Sequence, residues 1–297
     1  VETEEFPALE YDLRSERAGT TVSPENPQPA RAPGDPQKDL YRSHLRAGFG
    51  NYLTPYFELW VNSLQSDEFD AGAHIGHISS FGQIKDHAKS TFSNTLLEAH
   101  ATKFFRGASL GAKASYKRNM VHRYGFMPDD FPGLDIPDDD IRQVYQTIGF
   151  DAGVESNNAA DDAFNYHVRL DGYYLADRFE SNETRISVIP GFSKGLDLFG
   201  NRRMQVLGLD VRYDHYINND SLDSYGGGIL SMQPYFDMDL HPYRIYAGLK
   251  ADYRIDTASR LHLYPVVKAE ASLLDDMIVV YAGLEGGLSR TTFEGLS

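Results

Sequence analysis

Between Tyr243 and Asp256 the chain alternates in strict phase. Tyr243, Ile245, Ala247, Leu249, Ala251, Tyr253 and Ile255 are apolar, and Arg244, Lys250, Asp252, Arg254 and Asp256 between them are charged. Successive side chains of a strand point to opposite faces, so the pattern predicts a strand with one apolar and one wetted face. A half-buried strand of a soluble protein holds such phase for about 4–8 residues, and here it persists over fourteen. A tilted strand needs about 9–11 residues to cross the hydrocarbon of a bilayer.

Twelve further segments alternate in the same way. The first sets Leu45, Ala47 and Phe49 against Arg42, His44 and Arg46 and stops at Gly50-Asn51; the second sets Leu53, Pro55, Phe57, Leu59 and Val61 against Tyr56, Glu58, Trp60 and Asn62. The third to eighth fall within residues 69–76, 97–102, 109–117, 143–155, 164–177 and 186–192. The ninth, tenth and twelfth lie within 207–214, 230–239 and 261–273, and the thirteenth runs through Ile278, Val280, Ala282, Leu284 and Leu288. Before all of these, residues 1–40 hold Pro7, Pro24, Pro27, Pro29, Pro33 and Pro36 among polar groups, a composition that predicts an extended tail. The organisation expected is therefore a Pro-rich periplasmic tail, 1–40, and an all-β antiparallel transmembrane β-barrel, 41–297.

Turn spacing bears on orientation. Bacterial barrels have short periplasmic turns and longer external loops. Brief connections are expected after even-numbered strands, at Phe105-Arg106, His241-Pro242 and 274–277, and long ones after the third, fifth and ninth, at 80–93, 119–140 and 218–227. This places the long loops outside and the tail in the periplasm.

Composition narrows the classes. Hydrophobic residues make up 41% of 297, so no window reaches the ~18 uninterrupted apolar residues of a spanning helix. Tyr 19, Phe 17 and Gly 26 suit aromatic girdles and tightly curved strands. Without cysteine there are no disulfides and no thiolate chemistry. A net charge of −15 argues against a nucleic-acid partner, which needs a basic footprint. The acidic start Val1-Glu2-Thr3-Glu4-Glu5 reads as a mature end after removal of a leader. A soluble secreted β-sandwich also alternates, but its strands average about 5–6 residues, and the apolar faces here mix Ala and Gly with aromatics near the segment ends.

The polar faces carry the candidate lumen-facing residues: Arg169, Asp171, Asp210, Arg212, Asp214, Arg244, Lys250, Asp252, Arg254, Lys268 and Glu270. Mixed signs on neighbouring inward faces predict ion pairs that fill or stiffen a lumen, and a wide pore would leave them as an ion-selecting ladder. Catalytic and metal constellations are not expected. His74 and His77 with Asp70 sit at a spacing that sends the two rings to opposite faces. His167 near Asp171 is the nearest pairing for hydrolysis and lacks a third member. Asp129, Asp130, Asp135, Asp138, Asp139 and Asp140 crowd one loop without EF-hand spacing, which reads as a solvated loop open to partners or to lipopolysaccharide-bound cations. No cofactor is expected.

The segments Ala47-Gly48-Phe49-Gly50-Asn51-Tyr52, Gly107-Ala108-Ser109-Leu110-Gly111-Ala112-Lys113-Ala114 and Tyr246-Ala247-Gly248-Leu249-Lys250-Ala251-Asp252-Tyr253 resemble strands of Gram-negative outer-membrane barrels. In style the chain is similar to barrels of Bacteroidota, including TonB-dependent-receptor-like ones. The tail is too short for a globular plug, and no TonB box stands near Val1. The chain ends Phe293-Glu294-Gly295-Leu296-Ser297 without a terminal aromatic, and an odd strand count points to 14 or more strands in a longer barrel. The resemblance implies location in the bacterial outer membrane, contact with membrane lipid and lipopolysaccharide, and passage or binding of a small solute. The alternatives are a non-transporting scaffold that recruits envelope proteins through its tail or long loops, and a soluble binding protein.

Overall fold

A computed structural model describes residues 41–296 apart from 65, 134, 159–161, 199, 201–204, 221–222, 257, 274–276 and 289. Two compact units divide between Asp39 and Leu40, and the first, which holds the Pro-rich tail, lies outside the described residues. The second is a run of thirteen strands: β1 Ser43–Gly50, β2 Thr54–Asn62, β3 Phe69–Ser80, β4 Phe92–Phe104, β5 Ala108–His122, β6 Arg142–Ser156 and β7 Phe164–Asp177, then β8 Asn182–Leu196, β9 Gln205–Asn219, β10 Ser224–Leu240, β11 Tyr243–Ile255, β12 Arg260–Leu273 and β13 Ile278–Leu284. Each pairs antiparallel with the next, in one sheet ordered β1 to β13. One short helix, α1 Asp138–Ile141, sits in the β5–β6 connection. Among the described residues, β1 and β13 have one strand neighbour each.

Register keeps the two faces apart across the whole sheet. Asp239, Arg244 and Glu270 align on three successive strands, and on the other face Phe236, Ala247 and Val267 do the same. The consequence is an inverted pattern of burial. Glu183 and Ser187 are fully inaccessible and Asp252 is 1% exposed, whereas Ile148 is 59%, Leu207 53% and Leu261 60% exposed. All thirteen strands lie in the one sheet, so among the described residues no second sheet covers the apolar face as a sandwich requires. Leaving so many large apolar side chains in water forfeits about 25 cal/mol per Å². The arrangement is the wall of a transmembrane barrel, with the apolar face turned to a lipid-like solvent.

Three expectations about the connections and ends are corrected. The long loop at 218–227 does not exist: β9 runs to Asn219 and β10 starts at Ser224. The run Gly226-Gly227-Gly228 reads as a turn because it lacks side chains, yet it pairs with Ile217, Tyr216 and His215, and the Tyr216 hydroxyl lies over Gly227 where a Cβ would stand. Connections after even strands are not uniformly brief, since 63–68, 157–163 and 197–204 exceed the β9–β10 link. Long loops follow only β3 and β5. Lastly, Leu288 does not continue the apolar face of β13, which ends at Leu284; beyond it the chain turns onto the polar face of the sheet.

Candidate functional site

The eleven charged residues picked out by alternation share the polar face, spread over β7 to β12. Asp171 aligns with Ser187, Ser187 with Asp214, Arg212 with Ser231 and Ser231 with Asp252; Lys250 and Arg244 align with Tyr264 and Glu270. They do not converge on one point. Most are taken up by ion pairs with neighbours: Arg169 with Asp151, Asp171 with Arg185 at 2.6 Å, Arg212 with Asp214 at 2.7 Å, Arg254 with Asp256 at 2.8 Å and Lys268 with Glu285 at 3.0 Å. Arg244 forks onto Asp237 through Nε at 3.1 Å and Nη2 at 2.6 Å. Such bidentate, charge-assisted contacts fix both partners. Glu270 and Lys268 border a recess of about 640 Å³ between β10 and β13, floored by Asp237, Arg244 and Tyr246.

Toward β1 the same face carries a stack. The Trp60 ring stacks on His74 with centroids 4.6 Å apart and planes nearly parallel, and lies 5.4 Å from His44, while the Arg46 guanidinium sits 5.7 Å from the indole. His74 lies 3.6 Å from Glu98, which also holds Lys113 at 2.6 Å. His77 points the other way, to Thr95 and Ser79. His167 is not turned to Asp171, whose carboxylate is taken by Arg185; it stands with Asp210 over Gly191, where a Cβ would collide with both. In the acidic loop, Asp138 pairs with Lys89 at 3.0 Å and Asp139 with Arg142 at 3.3 Å and Arg178 at 3.5 Å, so two of its carboxylates tie the loop to the start of β6, to the β7–β8 turn and to the β3–β4 connection.

Alternation alone does not single out Glu183, the carboxylate buried most deeply on this face. It takes hydrogen bonds from the Tyr173 hydroxyl and, at 2.9 Å, from the Phe293 N–H. Extending the phase of β8 upstream from Ser187 through Arg185 places Glu183 on the polar side, which is the signal that finds it. No local pattern foretells its partner, 110 residues away. The same holds for Asp252, predicted as lumen-facing, whose Oδ2 accepts the Leu288 N–H at 2.9 Å.

No protein-family model and no curated protein matches the chain. Among solved structures it is similar to FpvAI in complex with pyocin S2, with 12% identity, a TM-score of 0.59, and coverage of 82% of this chain and 40% of that one. It is also similar to the ferripyoverdine receptor of the outer membrane of Pseudomonas aeruginosa bound to ferripyoverdine, at 13% identity and TM-score 0.57, covering 82% and 42%. P. aeruginosa FpvA bound to a heterologous pyoverdine gives 13%, 0.57, 81% and 41%. The chain thus spans about two-fifths of those chains, and over that span it has the fold of an outer-membrane receptor barrel.

Proposed function

We propose that this chain forms part of the wall of an outer-membrane β-barrel, with the polar face as a narrow, charge-lined lumen that binds or passes a small polar solute. The observation that carries the reading is the inverted burial: Glu183, Ser187 and Asp252 are shielded on one face while Ile148, Leu207 and Leu261 stand open on the other. Only an apolar surround makes that distribution favourable. Solute binding is supported by the receptor barrels the fold resembles, one of them bound to ferripyoverdine. The eleven residues from Arg169 to Glu270 are the lumen lining in this reading, and lipid and lipopolysaccharide surround the outer face. Conductance of the detergent-purified chain in planar bilayers, read with heat-modifiability on a gel, is the test. A shift on boiling with solute-sensitive current supports the reading, and a monodisperse, detergent-free monomer overturns it.

A second reading has its own support. The ion pairs link adjacent strands, as Arg185 does with Asp171 and Arg244 with Asp237, and leave few charges turned to a passing ion. A barrel closed by its own charges would serve as a scaffold, recruiting envelope proteins through residues 1–40 or the long loops. Heat-modifiability without current, and partners lost on removal of residues 1–40, are the results that favour it.

A further inference from the structure

We propose that Glu183 and Tyr216 form a guanidinium-accepting site, filled here by the chain's own Arg290, and that this site holds residues 285–296 across the polar face as a releasable strap. Its consequence for passage rests on the reading of that face as a lumen.

Among the described residues, no strand follows β13. Lys268 of β12 holds Glu285, Leu288 bonds Asp252 of β11, Arg290 meets β9 and β8, Phe293 bonds Glu183, and the Phe293 ring packs edge-on against Tyr145 of β6 at 5.9 Å. Six strand intervals of ~4.8 Å make about 29 Å along the sheet, and the eight steps from residue 285 to residue 293 reach about 26–29 Å when extended. The segment is therefore long enough to reach from β12 to β6 across the polar face. Gly286 and Gly287 permit the entry, because a Cβ on either would meet the Tyr264 ring or the end of Lys250.

The anchor has the chemistry of a built site. Glu183 is fully buried, and a buried carboxylate needs a compensating charge. Arg290 supplies it: Nη2 lies 3.9 Å from Glu183 Oε2, and the guanidinium carbon is 3.4 Å from the centre of the Tyr216 ring. A planar cation on an aromatic face beside a carboxylate is a geometry that guanidinium meets and ammonium does not. Neutralisation is incomplete in hydrogen-bond terms. Arg290 Nη2 and Asp252 Oδ1 are buried and make no hydrogen bond among the described residues. A strap whose central anchor is one arginine, with buried groups left without hydrogen bonds among the described residues, is open to displacement there by a better-fitting guanidino ligand.

Hydrogen exchange of the full chain in detergent tests this, read on peptides covering 285–296, with arginine amide as probe and lysine amide at equal ionic strength as control. The strap should exchange slowly in the wild type, at least tenfold faster in Arg290→Ala and in Tyr216→Leu, and faster with arginine amide but not lysine amide, with strand peptides unchanged. Exchange in the wild type as fast as in an unstructured peptide, or indifference to both substitutions, overturns the strap. Indifference to arginine amide overturns the ligand site. Bilayer currents of wild type and Arg290→Ala run alongside: absence of current in both defeats passage, and the strap is still judged on exchange alone.

Discussion

The ion pairs of the polar face differ in what they contribute, and exposure ranks them. Asp171 and Arg185 are 14% and 30% exposed and 2.6 Å apart, and Arg185 also lies 5.0 Å over the Tyr173 ring. Removing the carboxylate strands a half-buried guanidinium, whose Nε already has no hydrogen bond among the described residues. Truncating one member of such a pair costs about 2–3 kcal/mol. Arg169, paired with Asp151, is 58% exposed, and an exposed pair is worth about 0–1 kcal/mol. Asp171→Ala should therefore destabilise the chain well beyond Arg169→Ala in denaturant titrations monitored by heat-modifiability, and the swap of Asp171→Arg with Arg185→Asp should recover part of the loss. Equal losses for the two truncations would show that these charges are solvated alike and that the face is no sheltered lining.

At the scale of the strand, period-two alternation made the elements legible: all thirteen segments form strands, and apart from Leu53, in the β1–β2 turn, and Leu288, beyond β13, their apolar and charged sides lie where the phase places them. Strand ends and connections were less legible, because the signals used for turns also serve inside strands. Gly226-Gly227-Gly228 shows this, and so does Gly172 in the middle of β7. A Cβ on Gly172 would stand 2.6 Å from the Arg185 carbonyl and 2.9 Å from the Phe150 ring, so the residue is there for close approach. Gly111 in β5 meets nothing nearer than Thr102 Oγ1 at 3.5 Å. Overpacking against backbone costs about 1–3 kcal/mol, whereas alanine in an open strand position gains about 0.5–1 kcal/mol over glycine in chain entropy. Gly172→Ala should lower the folded, heat-modifiable fraction and Gly111→Ala should keep or raise it. Equal tolerance of both would mean that β7 and β8 are not packed as closely as their register implies. The remaining illegible part is the strap: Glu183 and Phe293 meet across 110 residues, and no local window on the sequence contains both.

For the whole molecule the decisive question is which face meets lipid, and the chain carries its own probe. Trp60 is the single tryptophan, and it belongs to the polar set of β2, stacked between His44 and His74. Val61, the next residue, is on the apolar set and 46% exposed. Successive strand residues face opposite ways, so a shift of one position carries the indole through the wall. In liposomes made with brominated acyl chains, Trp60 emission should be nearly unaffected and should respond instead to acrylamide in the aqueous phase. With Trp60→Phe and Val61→Trp combined, the indole should be quenched severalfold by the brominated lipid and shielded from acrylamide. Strong lipid quenching of the native Trp60 would turn the barrel inside out and remove the lumen. Equal quenching at both positions would mean that the sheet lies on the membrane instead of crossing it. The predicted reversal is specific to a wall with solvent on one side and hydrocarbon on the other, a distinction that neither detergent dependence nor strand content makes.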